Sequence, residues 1–171
     1  MALKKIVMQV LITKIATALI ILVFLNCSSN SDNSEIRSNI PDLSFIKTMG
    51  GTKNDSAKSV VKTSDGGYII LGYTQSMDGD VSNKQDESFN YWILKFDKNN
   101  NVQWQKNYGG SEDDRGSKII ETTDGGYAVL GYSKSSDGNV TQNFGAQDFW
   151  VVKLNNIGNI EWQKSFGFAG A

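Results

Sequence analysis

After the first 26 residues, apolar and polar positions alternate with a period of two, in short runs cut by Gly, Asn and Asp. In "VQWQKNY", Val102, Trp104, Lys106 and Tyr108 fall on one face and Gln103 and Gln105 on the other. That period belongs to a β-strand. "AKSVVKT" from Ala57, "YIILGYT" from Tyr68 and "YWILKFD" from Tyr91 read as three further strands, and no stretch beyond the N-terminal segment shows helical i, i+3, i+4 spacing. Between the first two strands lies "DGG". Asp-Gly favours a tight type I′ hairpin turn, with positive φ at both central residues.

The pattern is written twice. "TSDGGYIILGYTQSMDG" from Thr63 returns 59 residues later as "TTDGGYAVLGYSKSSDG" from Thr122, with 11 of 17 positions identical. "GGTKNDSAKSVVK" from Gly50 aligns with "GGSEDDRGSKIIE" from Gly109, and "YWILKFDKNNNVQWQKNYGG" with "FWVVKLNNIGNIEWQKSFGF". In the turn before the fourth strand Asn100 aligns with Gly158, and these two residue types most readily take a left-handed backbone. The swap predicts that backbone shape is what the position needs. A four-stranded antiparallel unit of this length, repeated in tandem, predicts an all-β chain of β-propeller-like blades. The expected organisation is a partial unit over 44–49, full units over about 50–108 and 109–166, and the start of another at 167–171.

"WQKNYGGSEDD", "TTDGGYAVLGYSKSSDGNV" and "DFWVVKLNNIGNIEWQKSFG" resemble the DGGY repeats of Bacteroidota secreted proteins and lipoproteins, some of which leave the cell by the type IX secretion system. "LKFDKNNNVQWQK" and "VKLNNIGNIEWQK" are also similar to quinoprotein-type propeller repeats, and that resemblance implies that a late tryptophan docks one blade on the next. It implies no particular activity, because propellers host many. Propellers carry four to eight blades. Two full units lead to the expectation of a truncated piece, with closure by association as the alternative.

The N-terminus stands apart. "MALKKIVMQVLITK" carries Lys4, Lys5 and Lys14 and no acid, and the uncharged run Ile15 to Leu25 follows it. Eleven residues fall short of the ~20 that span a bilayer, so residues 1–26 read as a signal segment. Cys27, the single cysteine, comes directly after it. The junction "FLNC" resembles a bacterial lipobox, although Asn26 stands where that family prefers Gly, Ala or Ser. The resemblance implies that Cys27 is acylated, and multiple acyl chains would hold the protein on a membrane. An ordinary cleaved signal or a plain anchor is the alternative. Residues 28–42 contain ten Ser, Asn or Asp among fifteen; with Cys27 and Leu43 they form an expected tether over 27–43.

Charge and composition mainly exclude. Without the three N-terminal lysines, 14 bases face 18 acids, a net charge near −4. No basic run remains, which argues against nucleic acid as a partner. The chain has no histidine and no second cysteine, so imidazole or paired-thiolate metal sites and nucleophiles with a histidine base are excluded.

The remaining candidates are aromatic and acidic. Trp104 and Trp162, with Phe45 at the same place in the partial unit, are expected to pack between blades, with sugar stacking as the alternative. Trp92 and Trp150 are expected in core or blade contacts. Asp78, Asp80, Asp86 and Glu87 have the oxygen chemistry of Ca²⁺, but the second unit has Asn139 in place of Asp80, and turn roles are expected instead. Asp65 with Asp124, and Asp55 with Asp114, recur in register and are read as turn and loop residues. "DSA" at Asp55–Ala57 resembles a short Bacteroidota O-glycosylation site at Ser56. No catalytic residue, metal site or cofactor is assigned.

The expected protein is a lipid-anchored lipoprotein of the cell envelope, on the outer membrane and facing periplasm or surface. Its repeat module would bind or scaffold a glycan or envelope protein, and its open blade edges would permit self-association. The alternatives are a piece of a larger carbohydrate-active or quinoprotein-like propeller enzyme, or a degenerate fragment.

Overall fold

The computed structural model describes residues 46–168. The signal segment, Cys27, the tether and Phe45 lie outside the described residues. Eight strands follow one another: β1 (Asp55–Lys62), β2 (Tyr68–Thr74), β3 (Asn90–Phe96), β4 (Val102–Tyr108), β5 (Asp114–Glu121), β6 (Tyr127–Ser133), β7 (Asp148–Leu154) and β8 (Ile160–Phe166). They form two four-stranded antiparallel meanders, β1-β2-β3-β4 and β5-β6-β7-β8. No helix occurs among the described residues. Each sheet is one sequence repeat, so the described part of the chain is all-β and built of two blade-like sheets in tandem.

The turn chemistry differs from expectation in one respect. Positive φ in the "DGG" hairpins falls on Gly66 (86°) and Gly125 (79°), not on the aspartates before them. The Gly66 amide donates to the Thr63 carbonyl and the Thr63 amide to the Gly67 carbonyl, both at 3.0 Å. This is a three-residue loop closed by a left-handed glycine, not a two-residue type I′ turn. Asp65 keeps an ordinary backbone because its carboxylate is needed nearby: Oδ1 accepts from Thr63 Oγ1 at 2.6 Å and from the Gly67 amide at 2.9 Å. Asn100 (φ 67°) and Gly158 (φ 78°) are both left-handed, as their exchange requires.

A second difference lies in β4. Trp104 pairs with Lys95, but Val102 pairs with Phe96 across a register shift. The extra residue breaks the expected Val102–Trp104 alternation, while Trp104, Lys106 and Tyr108 keep one face. The same shift recurs where β7 meets β8.

The two sheets meet face to face, with β5 lying against β1, β2 and β3. From the first sheet Ile69, Leu71, Tyr91, Ile93 and Tyr108 enter the shared core; from the second come Ile119, Tyr127, Val129, Trp150, Val152 and Leu154. All are buried, and each contributes roughly 1.5–3 kcal/mol through removal of apolar surface from water. On the far side of the first sheet Ile70, Trp92, Leu94 and Phe96 are also buried, and Phe96 stacks on Tyr68 at 4.7 Å.

Candidate functional site

The repeated residues are held by one another. In each unit an aspartate at the start of the first strand ties the entering Gly-Gly to the loop after the second strand. Asp55 Oδ2 accepts from the Gly51 amide at 2.8 Å and from Ser76 Oγ at 2.9 Å, and its Oδ1 from Thr74 Oγ1. Asp114 does the same with the Gly110 amide at 2.7 Å and Ser135 Oγ at 2.8 Å. Burial pushes the Asp114 carboxyl up from its ordinary value. A shifted acid in a cleft is a catalytic candidate, but this one recurs in both sheets with the same partners, which is the mark of a structural clasp. Ser56 follows Asp55 on β1, an outer strand, where it pairs with Tyr73.

The lysine of each third strand clips its own hairpin. Lys95 Nζ, nearly fully buried, donates to Asp65 Oδ2 at 2.7 Å and to the Phe96 carbonyl at 3.0 Å. The Lys95 ammonium, helped by Thr63, lowers the Asp65 carboxyl to about 2. Lys153 repeats the arrangement with Asp124 at 2.9 Å and adds Glu161 at 2.9 Å. Its ammonium holds Asp124 well below the usual carboxylate range, and Asp124 in turn raises Lys153.

The acidic loop is dispersed rather than gathered. Asp78 accepts from the Thr52 amide and hydroxyl at 2.8 and 2.9 Å, and Asp80 from the Gly50 amide at 3.0 Å. Asp86 faces Ser88 and Lys84, and Glu87 faces Lys53. Among the described residues no group of three or more acids is placed to hold a metal ion. The Asp80/Asn139 exchange has a simpler account. Asn139 Oδ1 accepts from the Gly109 amide at 3.2 Å, so the position needs a neutral or charged acceptor alike.

The aromatic residues carry the inter-sheet contact. Tyr91 lies 4.8 Å from Trp150, ring to ring, and its hydroxyl donates to the Trp150 carbonyl at 3.1 Å. The Tyr108 hydroxyl donates to the Gly158 carbonyl, and burial raises both phenols. Trp104 meets Tyr127 at 6.0 Å and presses on Gly158, where an added Cβ would sit 2.9 Å from the indole. Arg115 reaches back to the first sheet, its guanidinium 4.0 Å from the centre of Phe89 and 5.1 Å from that of Tyr73. Trp104, Trp92 and Trp150 thus sit in packing positions, with the Trp92 indole N–H on Gln105 at 2.8 Å and that of Trp150 on Gln163 at 2.7 Å.

Trp162 is different. It is 52% exposed, on the face of the second sheet turned away from the first, with Phe149 at 68% and Phe166 at 49%. Leu130 and Ile120 extend this apolar face. At its end opens a cleft of about 580 Å³, lined by Tyr132, Phe144, Phe149, Lys164, Phe166 and Phe168 among others. The sequence places Trp162 in the same role as Trp104, and the count of two units leads one to expect exposed inter-blade faces; the structure shows that one such face carries Trp162.

No family model and no curated protein matches the chain.

Proposed function

We propose that this protein is a lipid-anchored bacterial envelope lipoprotein of the DGGY-repeat kind, whose two-sheet module serves in binding or scaffolding. The observation that carries the reading is the use of the repeated polar residues: the aspartates, lysines and serines that recur in register are engaged in clasps and turns, not gathered in one asymmetric centre. The distinctive unengaged surface is apolar and aromatic, which suits contact with another molecule. At the other end, a basic segment, an apolar run of eleven residues and a lone cysteine stand in the order of a lipoprotein signal. Envelope protein or glycan is the partner class that such an address supplies.

Feeding a Bacteroidota host an alkyne-bearing fatty acid while it expresses the full chain tests the anchor. The expected result is a labelled protein in the membrane fraction and loss of label in Cys27→Ala. An unlabelled wild-type chain, or label that persists in Cys27→Ala, overturns the anchor. Binding or scaffolding is tested by capture of intact envelope proteins and glycans on the purified module, with Trp162→Lys as the control surface.

A further inference from the structure

Each residue on the open face of the second sheet has a counterpart in the first sheet, and those counterparts form the inter-sheet contact. Leu130 stands where Leu71 stands, Phe149 where Tyr91 stands, Trp162 where Trp104 stands and Phe166 where Tyr108 stands. Leu71 and Tyr91 are fully buried and Tyr108 nearly so, while Leu130, Phe149 and Phe166 are exposed at 42%, 68% and 49%. The difference has one source: the second sheet covers the first, and no described element covers the second.

From this equivalence we infer that the outer face of the second sheet is the docking seat of a further four-stranded sheet of the same repeat type. The existing contact states what that occupant must carry. Gly116 and Gly131 let Leu71 and Tyr91 approach closely, since a Cβ on either would sit 2.5 Å from Leu71 Cδ1 or from the Tyr91 hydroxyl. Gly158 lies under Trp104, and Asn159 Oδ1 accepts from Lys106 Nζ at 2.8 Å. The occupant therefore presents a glycine on each of its first two strands, and a tryptophan on its third. Its last turn holds a left-handed residue followed by asparagine, which receives Lys164. The first unit carries Gly72, Trp92, Asn100 and Asn101 at these places but has Ala57 where the second has Gly116, and its Cβ would require Leu130, the counterpart of Leu71, to shift.

The seat also differs from its model in ways that select. Tyr91 and Tyr108 each give a hydroxyl to a carbonyl across the contact, whereas Phe149 and Phe166 have none to give. Phe89, which stacks on Arg115, is replaced by Gln147. The occupant is then held by apolar contact alone at these points, and it has no need of an arginine at the Arg115 position. Ser56 fills that position in the first unit. This inference does not depend on the anchoring reading, and failure of acylation would leave it standing; it rests on the binding reading of the same face and narrows the partner there to a repeat sheet, in place of a glycan.

The test extends the chain in register by joining a second copy of residues 50–108, with Ala57→Gly in the added copy, directly after Phe166. Hydroxyl-radical footprinting with mass spectrometry then reads Trp162 and Phe149 in peptides that the added unit does not duplicate. The expected result is a several-fold fall in oxidation of both, Trp162 approaching Trp104, with a single thermal transition above that of the unextended chain. Leu130→Lys with Phe149→Lys in the extended chain should restore the oxidation of Trp162. Unchanged oxidation of Trp162, a separate melt of the added unit, or aggregation of the extended chain overturns the inference. Protection of Trp162 in the unextended chain by soluble oligosaccharides, with none from the added unit, overturns it in favour of a glycan platform.

Discussion

The Tyr91 hydroxyl donates to the Trp150 carbonyl oxygen at 3.1 Å while the two rings lie 4.8 Å apart. One side chain thus joins β3 of the first sheet to β7 of the second by both apolar burial and a hydrogen bond. The two contributions separate by substitution. Tyr91→Phe keeps the ring, as Phe149 does at the equivalent place, and should cost about 1 kcal/mol for the lost bond. Tyr91→Ala removes the ring from a site of zero exposure and should cost about 3–5 kcal/mol. Urea denaturation of the three proteins checks both values.

Trp104 and Trp162 occupy the same position in two copies of the same strand. Trp104 packs on Tyr127 and Gly158, so Trp104→Ala should destabilise by about 2–3 kcal/mol. Trp162 is half exposed, and Trp162→Ala should stay within about 0.5 kcal/mol of wild type, as surface substitutions do. Equal effects in thermal or urea melts would show that the second sheet is covered in solution.

That contrast also marks how far the sequence could be read. Strands and their order were legible, because period-two alternation and a repeat in register point to the same sheet twice. The left-handed backbone at Asn100 and Gly158 was legible too, since only a shape requirement joins those two residue types. The hairpin was not, because Asp-Gly serves two turn classes and the choice depends on where the Asp65 carboxylate finds donors, at Thr63 and Gly67. The Asp80/Asn139 exchange speaks for a turn role rather than a metal, but the partner itself, a backbone amide thirty residues away in the chain, has no signature in the local sequence. The openness of Trp162 was legible only from the count of units, since two blades leave inter-blade faces exposed. Its local sequence matches that of Trp104, and only the presence of a neighbouring sheet separates them.

Gly131 and Gly125 test two different reasons for glycine. A Cβ on Gly131 would lie 2.1 Å from the Arg115 carbonyl oxygen and 2.5 Å from the Tyr91 hydroxyl. Backbone cannot yield as a flexible side chain does, and Gly131→Ala should cost about 3 kcal/mol through overpacking. Gly125 has nothing within 4 Å but a φ of +79°. Gly125→Ala should cost only the left-handed strain, about 1–2 kcal/mol. Thermal melts that reverse this order would break the assignment of close packing at Gly131.

The Lys95–Asp65 clip should be visible in acid. Asp65 titrates at about 2 in the fold against about 3.9 for an unperturbed aspartate. A carboxyl lowered by folding contributes stability at pH values above its unfolded pKa and loses it as pH falls through the folded one. The contribution is therefore complete above about pH 4 and disappears towards pH 2. Asp65 is half exposed, so solvent screening limits it to about 1 kcal/mol or less. Lys95→Met should return the Asp65 carboxyl towards 3.9 in an NMR titration and flatten this part of the acid limb. An Asp65 that titrates normally in the wild-type protein would mean that Lys95 spends its charge on the Phe96 carbonyl alone.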